Sequence, residues 1–263
     1  QLDRLVRVGG NFMRNTMSDR KEVGFEVYPF HEIQDDIYDL NKWNEDYWIR
    51  FERLLVETEK RDIVVQIDIW DHYDFTGSTN FSEEGHWQAH PYNPKNNINY
   101  DEDESGFAVS YSGGPSTNNH SFFLTTPDQN NNVVVLKYQE RFVHKILDYT
   151  LDYNHVLYCV NSETNGGLKW YTYWARFIRE KASLQNKRVY IGKTSDNLVK
   201  EGKERIETSD PASMTDFFDI PEISYDRDQT IWNKFVSVRN HFKNYPHPIN
   251  TTGTSAAAGY NFV

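Results

Sequence analysis

One pattern limits the fold of this chain more than any other. A short, apolar, β-branched run stops at small polar residues, and a helical pattern follows. "DIVVQIDIW" (62–70) stops at Asp71, His72, Tyr73 and Asp74. "HVLYCV" (155–160) stops at Asn161, Ser162, Glu163, Thr164 and Asn165, followed by Gly166 and Gly167. Similar runs lie at 11–17, 188–192, 217–224 and 247–254, so six strands are predicted. Pro221 would remove one ladder bond from the run at 217–224. Apolar residues at steps of three and four predict a helix over Asp39 to Arg61, through Leu40, Trp43, Tyr47, Phe51, Leu54, Leu55 and Thr58, with Asp39 or Asn41 as its cap. Further helices are predicted over Val133 to Thr150, over Leu168 to Ala182, and around Ile231, Phe235, Val238 and Phe242. Leu2 to Val8 reads as a helix end.

Strands that alternate with helices form a parallel sheet covered by those helices. Six strands fit either an open doubly wound sheet or a (β/α)8 barrel. No glycine-rich phosphate loop follows a strand, which argues against the nucleotide-binding open sheet. The chain of 263 residues is expected to be one α/β, TIM-barrel-like domain, incomplete at both ends. Its polar stretch at 72–132 reads as a long loop insertion. Its Trp87, His90, Tyr92, Tyr100, Phe122 and Phe123 argue against plain disorder, because disordered segments are poor in aromatics.

Charge and composition narrow the function. The chain carries 39 acidic against 28 basic residues, a net charge of −11. No nucleic acid partner is expected, because backbone binding needs clustered Lys and Arg. No apolar run approaches the ~18 residues of a membrane span, so no membrane partner is expected either. The single cysteine, Cys159, rules out a disulfide framework or a cysteine-based metal site within one chain. No signal peptide is visible at Gln1. A secreted or periplasmic location, with the leader outside this chain, is the expectation. The 7 Trp, 17 Tyr and 16 Phe, many beside Asn, Asp and Gly, suit sugar faces as well as core packing.

In a parallel barrel the chemistry gathers at the C-terminal ends of the strands. That places Arg14, Asn15, Trp70, Asp71, His72, Asn161, Ser162, Glu163 and Tyr225 together as candidates. Trp87, His90 and Tyr92 are expected to reach the same mouth from the long segment as sugar contacts. Asp68, Asp71, His72 and Asp74 have metal-binding chemistry, but alternation along a strand would divide them between two faces, so no metal or cofactor is expected.

"GGNFMRNTM", "VVQIDIWDHYDF" and "HVLYCVNSETN", in that order and spacing, resemble strands two, three and four of the retaining (β/α)8 glycoside hydrolases of clan A. They look closest to bacterial members that carry a "YDLNKWNEDYWIRFERLL" helix, a "HPYNPKNNINY" loop and a "KYQERFVHKIL" helix. The resemblance implies a hydrolase of poly- or oligosaccharides, with Glu163 as general acid/base and Arg14 as the arginine that orients site carboxylates. Such chemistry needs a second carboxylate, ~5–5.5 Å away in retaining and ~6.5–9.5 Å in inverting enzymes. Three departures stand out. Ser162 precedes Glu163 where the clan has Asn. Lys193 stands where an acid is expected. "HPINTTGTSAAAG", which should carry the nucleophile, has no acid. Glu222 is the favoured second carboxylate. The alternative is a catalytically impaired barrel that binds carbohydrate or serves an assembly.

Overall fold

The computed structural model describes residues 1–17, 27–75, 86–111, 120–162, 166–194, 215–219, 229–241, 243 and 247–250, with the backbone alone at several of these. In chain order the elements are α1 (Leu2–Arg7), β1 (Phe12–Thr16), β2 (Phe30–Gln34), β3 (Ile37–Trp43), α2 (Glu45–Glu59), β4 (Val64–Asp71), α3 (Glu102–Ser105) and α4 (Val133–Thr150). There follow β5 (Val156–Ser162), α5 (Gly167–Leu184), β6 (Ile191–Thr194), β7 (Phe217–Asp219), α6 (Gln229–His241) and β8 (Ile249–Asn250).

The predicted strands form one six-stranded sheet in the order β1-β4-β5-β6-β7-β8. All of its pairings are parallel. Each strand lies beside the next one of the sheet in chain order. A doubly wound sheet reverses its order at a switch point, and this one does not, so the barrel expectation holds. The sheet also curls. Flat neighbours sit ~4.8 Å apart, which would hold β4 and β8 ~19 Å from each other. Yet the Asn250 amide on β8 lies 2.8 Å from Gln66 Oε1 on β4. Two short side chains meet across that span only if the strands wrap around a common interior.

The helices cover the outer face. On β4, Val65, Ile67 and Ile69 are buried against them, while Gln66 and Asp68 point into the barrel. From α4 come Leu136, Phe142, Val143, Ile146 and Leu147, and from α5 Trp170, Trp174 and Ile178. Their steps of three and four put all of them on one face of each helix. The glycine pair at the start of α5 has local causes. A Cβ on Gly166 would fall 2.5 Å from Trp170 Cβ, and Gly167 has φ +65°.

Residues 39–61 depart from the expected helix. Leu40 and Trp43 belong to β3, which pairs antiparallel with β2 through a turn at Asp36, where φ is 57°. The helix begins after Asn44, whose side chain accepts from Asp46 N at 3.2 Å. Asp39 and Asn41 are therefore not its cap. The spacing of Leu40, Trp43 and Tyr47 runs smoothly into that of α2, so periodicity alone could not separate strand from helix.

The segment at 72–132 is not a plain loop. Its described residues form short 3-10 turns at His72–Phe75, His86–Ala89, Pro94–Asn96 and Ser121–Leu124, together with α3. Among its described rings, Phe75, Trp87, Tyr92, Phe107, Phe122 and Phe123 are buried in the core. Asn side chains replace regular backbone pairing. Asn93 Nδ2 donates to the carbonyls of Trp87 and Val109, and Asn97 Nδ2 to those of Pro91 and Asn93. An irregular chain buried this deeply has to satisfy its carbonyls from side chains.

Candidate functional site

Arg14 lies in the middle of β1, in register with Gln66. Its Nε is 2.5 Å from Asp68 Oδ2, and its Nη2 is 3.7 Å from Asp71 Oδ2. The Asp68 side chain is fully buried, and that of Asp71 is 11% exposed. These acids are three positions apart but face one cation, so strict alternation breaks between them. Trp70 turns the other way, into Phe122, Phe142, Trp170 and Trp174. Burial pushes the Asp68 carboxyl up to about 6, Arg14 pulling it down and Asp219 pushing it up. For the Arg14 guanidinium, burial acts downward but is outweighed by Asp68 and Asp71, which hold it above its ordinary value.

Beneath this pair runs a polar belt. Gln66 Nε2 donates to Asp68 Oδ1 at 3.0 Å and to Asp219 Oδ2 at 2.8 Å. Asn250 completes it from β8. Asp68 and Asp219 are 0% exposed. Gln66 and Asn250 were absent from the candidates drawn from the sequence. A signal was present in "VVQIDIW", where two polar residues at i and i+2 interrupt an apolar run and so share the inner face.

The mouth end is set by strand register. Asp71 pairs with Ser162, and Ser162 with Thr194, at the C-terminal ends of β4, β5 and β6. Beside Asp71 is a cavity of about 30 Å³, lined by Tyr28, Trp70, Asp71, Asp74, His90 and Tyr92 among others. It has room for about one or two waters, not for a sugar. Burial, and then His86, push the His90 imidazole down to about 3, so it is neutral there. His90 Nδ1 accepts from Tyr92 N at 3.1 Å.

The other sequence candidates divide into three groups. Trp70, Trp87 and Tyr92 are 3%, 0% and 2% exposed, and a ring with no accessible face does not stack on a sugar. Trp87 Nε1 donates to Ala108 O, and Tyr92 Oη to Tyr138 O, so both polar ends are used in packing. The expected sugar-contact roles of Trp87 and Tyr92 do not fit these positions. Asn15 donates to Met17 Sδ at 3.5 Å, away from the belt. Glu163, Glu222 and Tyr225 lie outside the described residues, as do the side chains of His72, Asn161, Ser162 and Lys193. Among the described residues, no three His, Cys, Asp or Glu side chains come together to hold a metal ion.

A family model described as "Domain of unknown function (DUF6298)" matches residues 33–245. The chain belongs to that family. No curated protein sequence matches it. Among solved structures, the DUF6298 chain is similar to a glycoside hydrolase family 5 mannosidase from Rhizomucor miehei, at TM-score 0.54 and 11% identity, over 94% of this chain and 60% of that one. The same mannosidase in complex with mannosyl-fructose gives TM-score 0.53 at 13% identity, again over 94% and 60% of the two chains. A Bacteroidetes-affiliated family 5 cellulase gives TM-score 0.51 at 11% identity, over 95% and 64%. At such identities the likeness is one of fold. The chain spans 60% to 64% of the length of these structures.

Proposed function

We propose that this protein is a glycoside hydrolase acting on a poly- or oligosaccharide, with Glu163 as general acid/base and Glu222 as the second carboxylate. The reading rests above all on the pairing of Asp71 with Ser162 at the strand ends, since Glu163 is the next residue in the chain. Arg14, 3.7 Å from Asp71, supplies the cation expected beside such carboxylates. Arg14, Asn15, Asp71, His72, Asn161, Ser162 and Tyr225 would bind the substrate. The barrel fold shared with family 5 hydrolases supports the same reaction class.

A second reading has one observation in its favour. β8 is the sixth strand of the sheet, and the sequence resemblance makes it the seventh of the barrel, where the nucleophile is expected. That strand ends in Asn250, an amide that cannot attack an anomeric carbon. A barrel that binds carbohydrate without cleaving it, in an assembly or alone, would look like this.

Incubating the protein with a panel of plant, algal and bacterial glycans decides between them. Released oligosaccharides that disappear in Glu163→Gln support the hydrolase. Binding heat without products supports the second reading. Turnover that survives Glu163→Gln would overturn the assignment of the acid.

A further inference from the structure

Glu163 belongs to a three-residue connection, 163–165, between two held points. The near point is Ser162, in register with Asp71 on one side and Thr194 on the other. The far point is Gly166, which is buried and packs so closely on Trp170 that a Cβ there would lie 2.5 Å from Trp170 Cβ. The Gly166 carbonyl accepts from Gln129 Nε2 at 3.1 Å. A carbonyl only accepts, so the nitrogen end of the Gln129 amide has to face it. The oxygen end is used as well: Oε1 accepts from Thr126 Oγ1 at 2.7 Å. Thr126 has no exposed surface, and its carbonyl accepts from Gln129 N at 2.9 Å. Around Gln129 the chain closes into a tight turn. Asn130 N donates to Leu124 O, Asn131 N to Thr126 O and Asn132 N to Thr125 O, with Asn131 at φ 49°. Lys169 Nζ, from the first turn of α5, adds a tie to Asp128 O at 2.9 Å.

We propose that Gln129 is a positioning residue for Glu163: it holds the far end of the connection, as β4 and β6 hold the near end, and so restricts the directions from which the Glu163 carboxyl meets a substrate. The role of Glu163 rests on the hydrolase reading, whereas the anchor rests on Gln129 and Gly166 alone. Holding both ends of so short a connection removes backbone freedom before any substrate arrives. That matters for an acid. It has to stand within hydrogen-bond reach of the oxygen it protonates, and a misplacement of about 1 Å costs about 100-fold in rate. The segment that carries the buried rings thus acts on the chemistry through one amide in its last turn, not through sugar contacts of Trp87 or Tyr92.

Gln129→Met keeps the length of the side chain and removes the donor. On a glycan that the unmodified protein cleaves, kcat/KM should fall about 10- to 100-fold. A nitrophenyl glycoside of the same sugar has a leaving group that needs no proton from Glu163, so its loss should be much smaller. Equal losses on both substrates, as a damaged fold would give, overturn the proposal, and so does an unchanged kcat/KM. Absence of cleavage by the unmodified protein counts against the hydrolase reading and leaves the anchor to its own readout. In ¹³C-glutamate NMR the Glu163 carboxyl signal, identified by its loss in Glu163→Gln, should move in Gln129→Met. A signal that stays in place overturns the positioning role, with or without turnover. The unmodified protein supplies a measurement that needs no variant to fold: the Gln129 side-chain amide should exchange with solvent more slowly than a free glutamine amide. Exchange at the free rate overturns the anchor.

Discussion

Gln66 on β4 and Asp219 on β7 are hydrogen-bonded at 2.8 Å although β5 and β6 stand between their strands. The bond spans the inside of the curled sheet. Gln66→Leu keeps the volume but removes the donor to two buried carboxyls. A hydrogen bond to a charged group is worth about 1.5–3 kcal/mol, and two are lost, so a loss of about 3–6 kcal/mol is expected. A urea titration measures it. A change below about 0.5 kcal/mol, the size of an ordinary surface substitution, would mean that the belt does not brace the barrel.

Arg14→Met tests the ion pair separately. Asp68 would be left buried without its cation, 2.5 Å from where Nε stood. Breaking a buried pair from one side costs about 3–5 kcal/mol. Adding Asp68→Asn to that variant should restore part of the loss, because the stranded charge goes with it. A double variant less stable than Arg14→Met alone would refute this account.

Two groups give stability opposite pH slopes. His90 is depressed to about 3 by burial and then by His86. Its contribution is present above the unfolded value of about 6.5 and is lost as pH falls toward about 3. Asp68 is raised to about 6, mainly by burial. Its contribution is full below the unfolded value of about 3.9 and is lost as pH rises through about 6. The denaturant midpoint of His90→Gln should therefore fall less steeply than that of the unmodified protein between about pH 6 and pH 4. Parallel slopes would remove His90 from the explanation.

Trp87 is packing, not a binding platform. Its ring has no exposed surface and lies against His120 and Phe75 at 4.4 and 6.0 Å between centroids. Trp87→Ala should cost about 3–5 kcal/mol and loosen the whole segment that carries Phe107, Phe122 and Phe123. Thermal melts followed by near-UV circular dichroism would register it. An unchanged melt with lost glycan binding would restore the surface role.

Asn44→Ala addresses the start of α2. Removing the side chain that accepts from Asp46 N should cost about 1 kcal/mol. Asn41→Ala should cost less, because Asn41 lies in β3, before the helix. Equal losses would favour the earlier start.

The chain's own periodicities determined most of the architecture. Six apolar runs became six strands of one sheet, and α4 spans the residues that its spacing marks. Which face of a strand or helix is apolar is a local property, written in steps of two or three to four residues. The hairpin of β2 and β3 was hidden because the steps through Leu40, Trp43 and Tyr47 mimic a helix, and only pairing across the turn at Asp36 revealed a strand. The aromatic segment at 86–123 looked like loop because Asn, Asp, Ser, Gly and Pro are interspersed with its rings. Whether those amides face water or buried carbonyls depends on neighbours that are distant along the chain. The belt lay furthest from view: Gln66 meets partners 153 and 184 residues away. No local pattern encodes those meetings. They exist because backbone pairing, repeated from β1 to β8, curls the sheet until opposite strands share one interior, and in that space the burial of Asp68 and Asp219 was decided.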